Sequence, residues 1–125
     1  RGAENAVMVD RSPECCSIIR ENLMLTGFTD RSDVLNGDVI KMLHRLCNEG
    51  RSFDIIFMDP PYGKNYLKQT LQIVSDSGII KDGGIVAAER EIHDEIPQTL
   101  GRLKLWKDAR YGSTVLSFYR AGAVD

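Results

Sequence analysis

Short apolar runs alternate with amphipathic segments along most of this chain, and the alternation restricts the folds open to it. Each run has the length of a strand, whereas the segments between them repeat their apolar residues at helical spacing. The predicted strands are Ala6–Val9, Ser32–Leu35, Phe53–Met58 and Ile85–Glu89. This order predicts an α/β fold with a mostly parallel sheet and right-handed crossover helices.

Capping residues predict where the helices begin and end. Ser12 followed by Pro13 is typical of the N-cap and first turn of a helix, which Gly27 then ends. A second helix is predicted over Val39–Leu46 and a third over about Tyr66–Ser75.

The second half of the chain contains one strongly apolar strand and a hairpin. Phe53–Met58 is almost entirely apolar, which predicts a strand covered on both faces. Gly78 and Gly83-Gly84 are predicted to bracket a loop. Near the C-terminal end, Leu103–Arg110 and Thr114–Arg120 are predicted to form an antiparallel hairpin.

Composition excludes several classes of protein. Hydrophobic residues make up 42% of the 125 residues and charged residues 27%, as in an ordinary folded domain. No stretch approaches the roughly 20 apolar residues of a membrane span. The net charge is −2, so a nucleic-acid partner would have to be held by a local patch. Cys15, Cys16 and Cys47 lack zinc-ligand spacing, and we expect reduced, mostly buried thiols in a cytoplasmic protein without a metal.

Three aspartates follow predicted strands at the points where those strands end. Asp10 and Asp59 come directly after a strand, and Asp38 follows a short exit loop. Ligands of doubly wound sheets bind at the carboxyl ends of the strands, so we expect these side chains to face one crevice. Taken singly, Asp10 or Asp38 fits a turn or a helix N-cap equally well.

Two of these acids suit a nucleoside. The Asp10 carboxylate can accept both ribose hydroxyls because its two oxygens are suitably separated. Asp38 can accept from an adenine amino group while the backbone N–H of Val39 donates to a ring nitrogen. This pattern fits a dinucleotide and S-adenosylmethionine equally well.

The segment Asp59-Pro60-Pro61-Tyr62 favours S-adenosylmethionine. A nucleobase amino group is a poor nucleophile, and its N–H groups must be held so that the nitrogen lone pair points at the electrophile. Asp59 can accept one of these hydrogen bonds and the Pro60 carbonyl the other, while the two prolines restrict the direction of that carbonyl. Tyr62 offers a face on which a base can stack. An ordinary structural loop is the alternative.

The stretch FDIIFMDPPYG resembles the catalytic strand and loop of class I S-adenosylmethionine-dependent amino-methyltransferases, which have a Rossmann-like sheet. It is most similar to the bacterial RsmD type, the small-subunit (16S) rRNA guanine-N2 methyltransferases. Four further stretches extend the resemblance over nearly the whole chain: RGAENAVMVDRS, RENLMLTG, NGDVIKML and KDARYGSTVLSFYR. The DPPY motif also occurs in adenine-N6 methyltransferases of DNA and RNA, which are therefore an alternative.

The resemblance implies a role for each candidate residue. Asp10 would contact the ribose of S-adenosylmethionine, Asp38 and Val39 its adenine, and the Asp59–Tyr62 segment the target guanine. Arg11 would line the adenine pocket or be a solvated residue at a helix start. The partner implied is ribosomal RNA or a small-subunit assembly particle, with no membrane and no metal involved.

Basic residues near the loop and in the hairpin suit RNA. Lys64 and Lys68 lie just beyond the loop, where they could meet phosphates. The hairpin region contains five basic residues (Arg102, Lys104, Lys107, Arg110, Arg120), one acid (Asp108) and three aromatic residues (Trp106, Tyr111, Tyr119). Such a mixture favours single-stranded RNA binding. Alternating outward charges on a half-exposed hairpin explain it equally well.

One departure from the family pattern affects the cofactor site. The family has a glycine-rich turn after its first strand, and this sequence contains no G-x-G. We therefore expect a single, N-terminally truncated methyltransferase domain over residues 1–125, with two apolar strand edges left open. In this form, a non-catalytic RNA-binding or assembly module is a second interpretation. A nicotinamide oxidoreductase would leave the Pro-Pro-Tyr element unexplained.

Overall fold

The structure is a computed structural model that describes residues 2–59 and 66–122. The chain divides into two compact units, Arg1–Arg45 and Leu46–Asp125. The first five elements are β1 (Ala6–Asp10), α1 (Pro13–Thr26), a 3₁₀ turn (Thr29–Arg31), β2 (Ser32–Asn36) and α2 (Val39–Asn48). The others are β3 (Phe53–Met58), α3 (Tyr66–Asp76), β4 (Ile80–Glu91), β5 (Thr99–Leu100), β6 (Leu103–Tyr111) and β7 (Thr114–Ala121). The predicted α/β fold class is confirmed.

In the first unit, helix α1 packs on a parallel pair of strands and has both predicted caps. The Ser12 Oγ accepts a hydrogen bond from the Cys15 N–H at 3.2 Å. Gly27 ends the helix with φ at 77°, and the N–H of Phe28 bonds to the carbonyl of Leu23 at 2.9 Å. Only glycine adopts that φ without strain, so local sequence determines both ends of the helix.

The three cysteines are free thiols, but not all of them are buried as the sequence predicts. Cys16 is fully buried, and its Sγ lies 3.5 Å from the carbonyl oxygen of Asp10. Cys47 is half-buried, whereas Cys15 is exposed. Consecutive residues on a helix point about 100° apart, so burying Cys16 against the strands turns Cys15 outwards.

The second unit is a five-stranded sheet in the order β3-β4-β7-β6-β5. Strands β3 and β4 are parallel, and the remaining pairs are antiparallel, including the predicted hairpin of β6 and β7. Helix α3 buries Leu71 and Val74 completely. On β4, Val86 and Ala88 are also fully buried. One face of this sheet, together with α3, therefore makes the core of the unit.

The prediction that β3 is covered on both faces is wrong. Ile55 and Phe57 are 70% and 61% exposed, whereas Met58, which points to the other face, is buried. Within the described residues β3 pairs with β4 alone, so it is an edge strand. The apolar sequence of β3 suits a buried strand, but in the described part of the chain no helix covers the face that carries Ile55 and Phe57.

Both apolar edges that the sequence analysis expects to be open are open in the described part of the chain. Strand β1 pairs only with β2, and β3 only with β4. Accordingly, Val7, Met8 and Val9 of β1 are half-buried instead of buried. No helix among the described residues is long and apolar enough to cross a membrane.

The loop predicted between Gly78 and Gly83-Gly84 is instead mostly the start of β4, and the two adjacent glycines lie at an irregularity inside that strand. The pairing steps from Phe53 opposite Ile80 to Ile55 opposite Ile85, so β4 bulges between them. Gly83 has φ at 77°. A Cβ on Gly84 would lie 2.8 Å from the carbonyl oxygen of Lys81 and 2.9 Å from that of Asp54. Glycine is needed here for close approach of two backbones and not for a chain reversal.

One arginine joins distant parts of the second unit. The Arg102 Nη2 donates to the carbonyl oxygens of Ser77 and Ile80, both at 3.0 Å. Its Nη1 donates to the carbonyl of Gly122 at 2.9 Å. The guanidinium therefore links the turn between α3 and β4 to the segment that follows β7.

Candidate functional site

The carboxyl ends of β1 and β2 bring three of the predicted site residues together. Asp10 is the last residue of β1 and pairs with Asn36, the last residue of β2. The N–H of Gly37 donates to the carbonyl oxygen of Asp10 at 3.0 Å, so the chain leaving β2 stays beside Asp10. Asp38 and Val39 follow at once. One edge of the first unit thus carries Asp10, Asp38 and Val39.

Internal hydrogen bonds fix the orientation of Asp10. Its Oδ1 accepts from the N–H of Ser12 at 2.8 Å. The amide Nδ2 of Asn36 lies 3.2 Å from the carbonyl oxygens of both Asp10 and Arg11. It also lies 3.7 Å from the Sγ of Cys16. The turn after β1 is therefore stabilised by the Asp10 side chain within the turn and by the Asn36 side chain of the neighbouring strand.

Asn36 is a residue that the sequence analysis missed. Its place immediately before Gly37-Asp38 was a usable signal, because asparagine side chains commonly bond to backbone groups in turns. Asn36 does not offer its own side chain to a ligand but holds in place the turn that carries Asp10.

Asp38 has the helix-capping geometry that the sequence allowed. Its Oδ1 accepts from the N–H of Lys41 at 3.2 Å, and its carbonyl accepts from the N–H of Met42 at 2.9 Å. Val39, the first residue of α2, is 42% exposed. The first N–H groups of a helix have no acceptor inside that helix. Capping therefore keeps Asp38 beside the Val39 N–H, which has no acceptor inside the helix and can donate to a ligand. A helix-capping role and a ligand-binding role of Asp38 are compatible.

Arg11 lies in the same turn with its side chain exposed. The structure records a bond only at its backbone carbonyl, which Asn36 holds. Its guanidinium is thus placed near the turn without a partner among the described residues.

Asp59 and Lys68 belong to the second unit. Asp59 is exposed and directly follows Met58, the buried last residue of β3, so it lies at the carboxyl end of that strand. Lys68 is exposed in the first turn of α3. The remaining predicted residues of this group lie outside the described residues: Pro60, Pro61, Tyr62 and Lys64.

The side chains of a partly buried polar network in the second unit bond to one another. Arg90 donates through Nε to the Oγ of Ser117 at 2.9 Å, and Ser117 Oγ donates to Asp108 at 2.6 Å. The hydroxyl of Tyr119 donates to the carbonyl of Pro97 at 2.7 Å. Burial raises the pKa of Tyr119 to about 12. The charge of Arg90 lowers this pKa by a smaller amount, and the charge of Asp108 raises it slightly. Because these polar groups bond to partners within the protein, we assign them a structural role.

The hairpin only partly matches its predicted surface. Tyr119 is fully buried and cannot stack on a base, because its position on β7 faces the core. Trp106 and Tyr111 are 50% and 66% exposed. Among the described residues no group of three or more His, Cys, Asp or Glu side chains is placed to hold a metal ion.

Comparison with known proteins relates this geometry to a family. The family described as "Conserved hypothetical protein 95" matches residues 1–120. The chain is 29% identical over 120 residues to the protein named "Putative rRNA methyltransferase YlbH" of Bacillus subtilis, covering 96% of this chain and 65% of the relative. It is 24% identical over 123 residues to "Ribosomal RNA small subunit methyltransferase D" of Escherichia coli, covering 98% of this chain and 60% of the relative. The chain thus spans less than two thirds of the length of these relatives.

A solved structure supports the fold. The structure titled "Putative methyltransferase yhhF from Escherichia coli" superposes with a TM-score of 0.86 at 20% identity, covering 98% of this chain and 67% of the other. With the match over residues 1–120, the chain belongs to the family described as conserved hypothetical protein 95, and its fold is that of class I methyltransferases.

Proposed function

We propose that this chain is part of a methyltransferase that transfers a methyl group from S-adenosylmethionine to an exocyclic amino group of an RNA base. Guanine N2 of small-subunit rRNA is the proposed target, because the DPPY loop and the closing hairpin resemble the enzymes with that specificity. The names of two relatives support an rRNA substrate. Such a protein would act in the cytoplasm, on rRNA or on an assembling small subunit.

The observation that carries the proposal is the edge formed by β1 and β2. The N–H of Gly37 donates to the carbonyl oxygen of Asp10 at 3.0 Å, which keeps the turn after β1 beside the turn after β2. Val39, next to Asp38, is exposed. A ribose offers two hydroxyl donors, and an adenine offers an amino donor and a ring-nitrogen acceptor. Two carboxylates and one N–H at a single sheet edge complement those groups.

These residues fit the adenosine half of S-adenosylmethionine. The sequence contains no G-x-G, so no residue of this chain is assigned to the methionine half. When bound, the cofactor supplies a methyl group made electrophilic by a sulfonium.

The acceptor base would be held by the loop that follows β3. Asp59, exposed at the carboxyl end of that strand, accepts one N–H of the target amine, and the carbonyl of Pro60 accepts the other. Tyr62 stacks on the ring, which must first leave its own stack. Asp59 is also the base placed to receive the proton that the methylated nitrogen loses. Lys64 and Lys68 contact flanking phosphates.

Calorimetric titration tests the cofactor site. We expect the protein to bind S-adenosylmethionine and S-adenosylhomocysteine but not NAD. Hydrogen bonds to a charged group contribute about 1.5–3 kcal/mol, so Asp10→Asn should weaken binding about tenfold or more. Asp30→Asn is the matched control, because Asp30 is an exposed acid in the 3₁₀ turn of the same unit. Equal binding by Asp10→Asn and the wild type would contradict the assignment.

Transfer of a labelled methyl group tests the substrate. Ribosomal RNA and duplex DNA are compared as acceptors, and the modified nucleoside is identified by mass after digestion. We expect N2-methylguanosine in small-subunit rRNA. N6-methyladenosine would replace the proposal by its adenine alternative, and cofactor-independent RNA binding without transfer would favour the non-catalytic module.

A further inference from the structure

A β-bulge on the closing hairpin exposes a tryptophan. Leu105 pairs with Tyr119 and Lys107 with Phe118, so Trp106 is an extra residue between two regular pairs. A bulge changes the direction of the side chain that it carries. Trp106 is 50% exposed although a large aromatic residue of a sheet is usually buried.

Two cations lie against the Trp106 ring. The Lys107 Nζ is 4.7 Å from the ring centroid and the Arg120 Cζ is 4.5 Å from it. Lys104 is paired directly with Arg120 across the ladder. We call these four residues, Lys104, Trp106, Lys107 and Arg120, the hairpin patch. Its three cations are exposed, and none of them forms an ion pair within the described part of the chain.

The remaining charges of the hairpin do not neutralise the patch. Asp108 pairs with the fully buried Ser117 on the opposite face, where it also meets Arg90 at 3.4 Å. Arg102 is engaged with backbone carbonyls, and Arg110 Nε donates to the Gly112 carbonyl at 2.9 Å. The five cations counted from the sequence therefore reduce to three that share one surface.

The nearest acid of the neighbouring strands on this face is also distant. Glu89 pairs with Leu116, which lies four residues along β7 from Arg120, and two strand spacings separate Glu89 from Lys104 and Lys107 on β6. Four residues of a strand span about 13 Å and two strand spacings about 10 Å, both longer than the Debye length of about 8 Å at physiological salt. The patch therefore carries an uncompensated positive charge.

Such an arrangement is unfavourable for the protein alone. Like charges directly opposite each other on paired strands destabilise a sheet, and Lys104 faces Arg120 in this way. An anion bound between them removes the repulsion. The N–H groups of Lys107 and Arg120 are available for oxygen acceptors, and a shift of these two side chains onto phosphates frees the Trp106 ring face for a base.

We propose that the hairpin patch binds the phosphate backbone of a single-stranded RNA segment, with Arg120, Lys107 and Lys104 on phosphates and Trp106 against a base. The choice of RNA as the polyanion rests on the proposed function. The closely spaced cations beside an exposed indole suit phosphates that are separated by planar bases, and an acidic protein segment would offer no such planes.

Salt-dependent binding tests the proposal. A fluorescein-labelled single-stranded RNA of about 15 nucleotides is titrated by anisotropy at several salt concentrations without any cofactor. Each phosphate contact contributes about 0.7 to the slope of log K against log salt for single strands. We expect Lys107→Gln to lower the slope by about 0.7, and the combined change of Lys104, Lys107 and Arg120 to Gln to lower it by about 2.

Lys81→Gln is the matched control. Lys81 lies in the same unit and is paired with Asp54 at 3.4 Å, so its loss removes one positive charge away from the patch. We expect its slope to equal that of the wild type. Trp106→Leu should weaken RNA binding about fivefold or more, whereas Trp106→Phe should retain most of the affinity. Thermal midpoints at or above that of the wild type show that the charge variants remain folded.

The outcomes separate this proposal from the proposed function. Equal slopes for the wild type and the triple variant overturn the patch as an RNA contact. Polyglutamate that competes with RNA as strongly as unlabelled RNA of equal charge also overturns it, in favour of an acidic protein partner. Normal RNA binding with no S-adenosylmethionine binding supports the patch and contradicts only the proposed function.

Discussion

Replacing Asn36 with alanine should weaken binding at the proposed cofactor site, although Asn36 is not itself proposed to contact the cofactor. Asn36 Nδ2 lies 3.2 Å from the carbonyls of Asp10 and Arg11, which it holds in the turn that aims the Asp10 carboxylate. Asn36→Ala leaves both carbonyls without this donor. The turn then samples other conformations, and only some of them present the carboxylate to a ribose.

The magnitude follows from the exposure of these bonds. A hydrogen bond in a protein contributes about 0.5–1.5 kcal/mol net, and exposed bonds lie at the lower end. Two such bonds amount to about 1 kcal/mol, which corresponds to about a fivefold loss of affinity for S-adenosylmethionine. Asn36→Asp should have a larger effect, since it keeps the size of the side chain but turns a carboxylate oxygen towards two carbonyl oxygens.

Asn22→Ala is the matched control because Asn22 is an exposed asparagine in α1 of the same unit. Alanine favours the helix there, so this variant should be as stable as the wild type. Urea unfolding and calorimetry are measured on all three variants. If Asn36→Ala matched Asn22→Ala in both free energy of unfolding and cofactor affinity, the reasoning about Asn36 would be refuted.

Three further changes are expected to have defined effects. Gly84→Ala should destabilise the protein by about 1–3 kcal/mol in urea unfolding, because the added Cβ would meet two backbone oxygens. Gly78→Ala is the control and should not be destabilised, since nothing lies within 4 Å of a Cβ at that position. Equal stabilities of the two variants would contradict the close packing of β3 and β4. Burial raises the pKa of Tyr119 to about 12, so the stability that depends on its protonated form is intact below pH 10 and is lost as the pH rises from 10 to 12, by up to about 3 kcal/mol. The Tyr119→Phe variant should lack this decline in unfolding free energy, and a decline equal to that of the wild type would exclude Tyr119 as its source. Asp59→Ala should abolish methyl transfer in the complete enzyme with cofactor affinity nearly unchanged, and near-normal turnover would remove Asp59 from the mechanism.

Much of the fold could be predicted because its signals are local. Ser12 and Gly27 mark the ends of α1 through interactions within a few residues, and the hairpin follows from two strands around a short turn. The carboxyl ends of β1 and β2 meet because parallel strands in register bring Asp10 beside Asn36. The edge formed by Asp10, Asp38 and Val39 was therefore foreseeable.

The features that could not be predicted depend on partners distant in sequence. Ile55 and Phe57 are apolar enough for a buried strand, but their exposure depends on which elements cover the sheet. Gly83 and Gly84 read as a loop because glycine composition cannot distinguish a reversal from a bulge between paired strands. Buried residues such as Tyr119 alternate along β7 with less buried ones, and only the sheet register shows which set faces the core.

The guanidinium of Arg102 connects two parts of the second unit that are distant in sequence, the start of β4 and the segment after β7. Because it binds the carbonyls of Ser77, Ile80 and Gly122 together, none of these segments can detach without breaking bonds to the others. In native-state hydrogen exchange the entry to β4 and the exit from β7 should consequently open as one cooperative event. Opening of the segment after β7 would therefore be coupled to opening at the start of β4 through a single side chain.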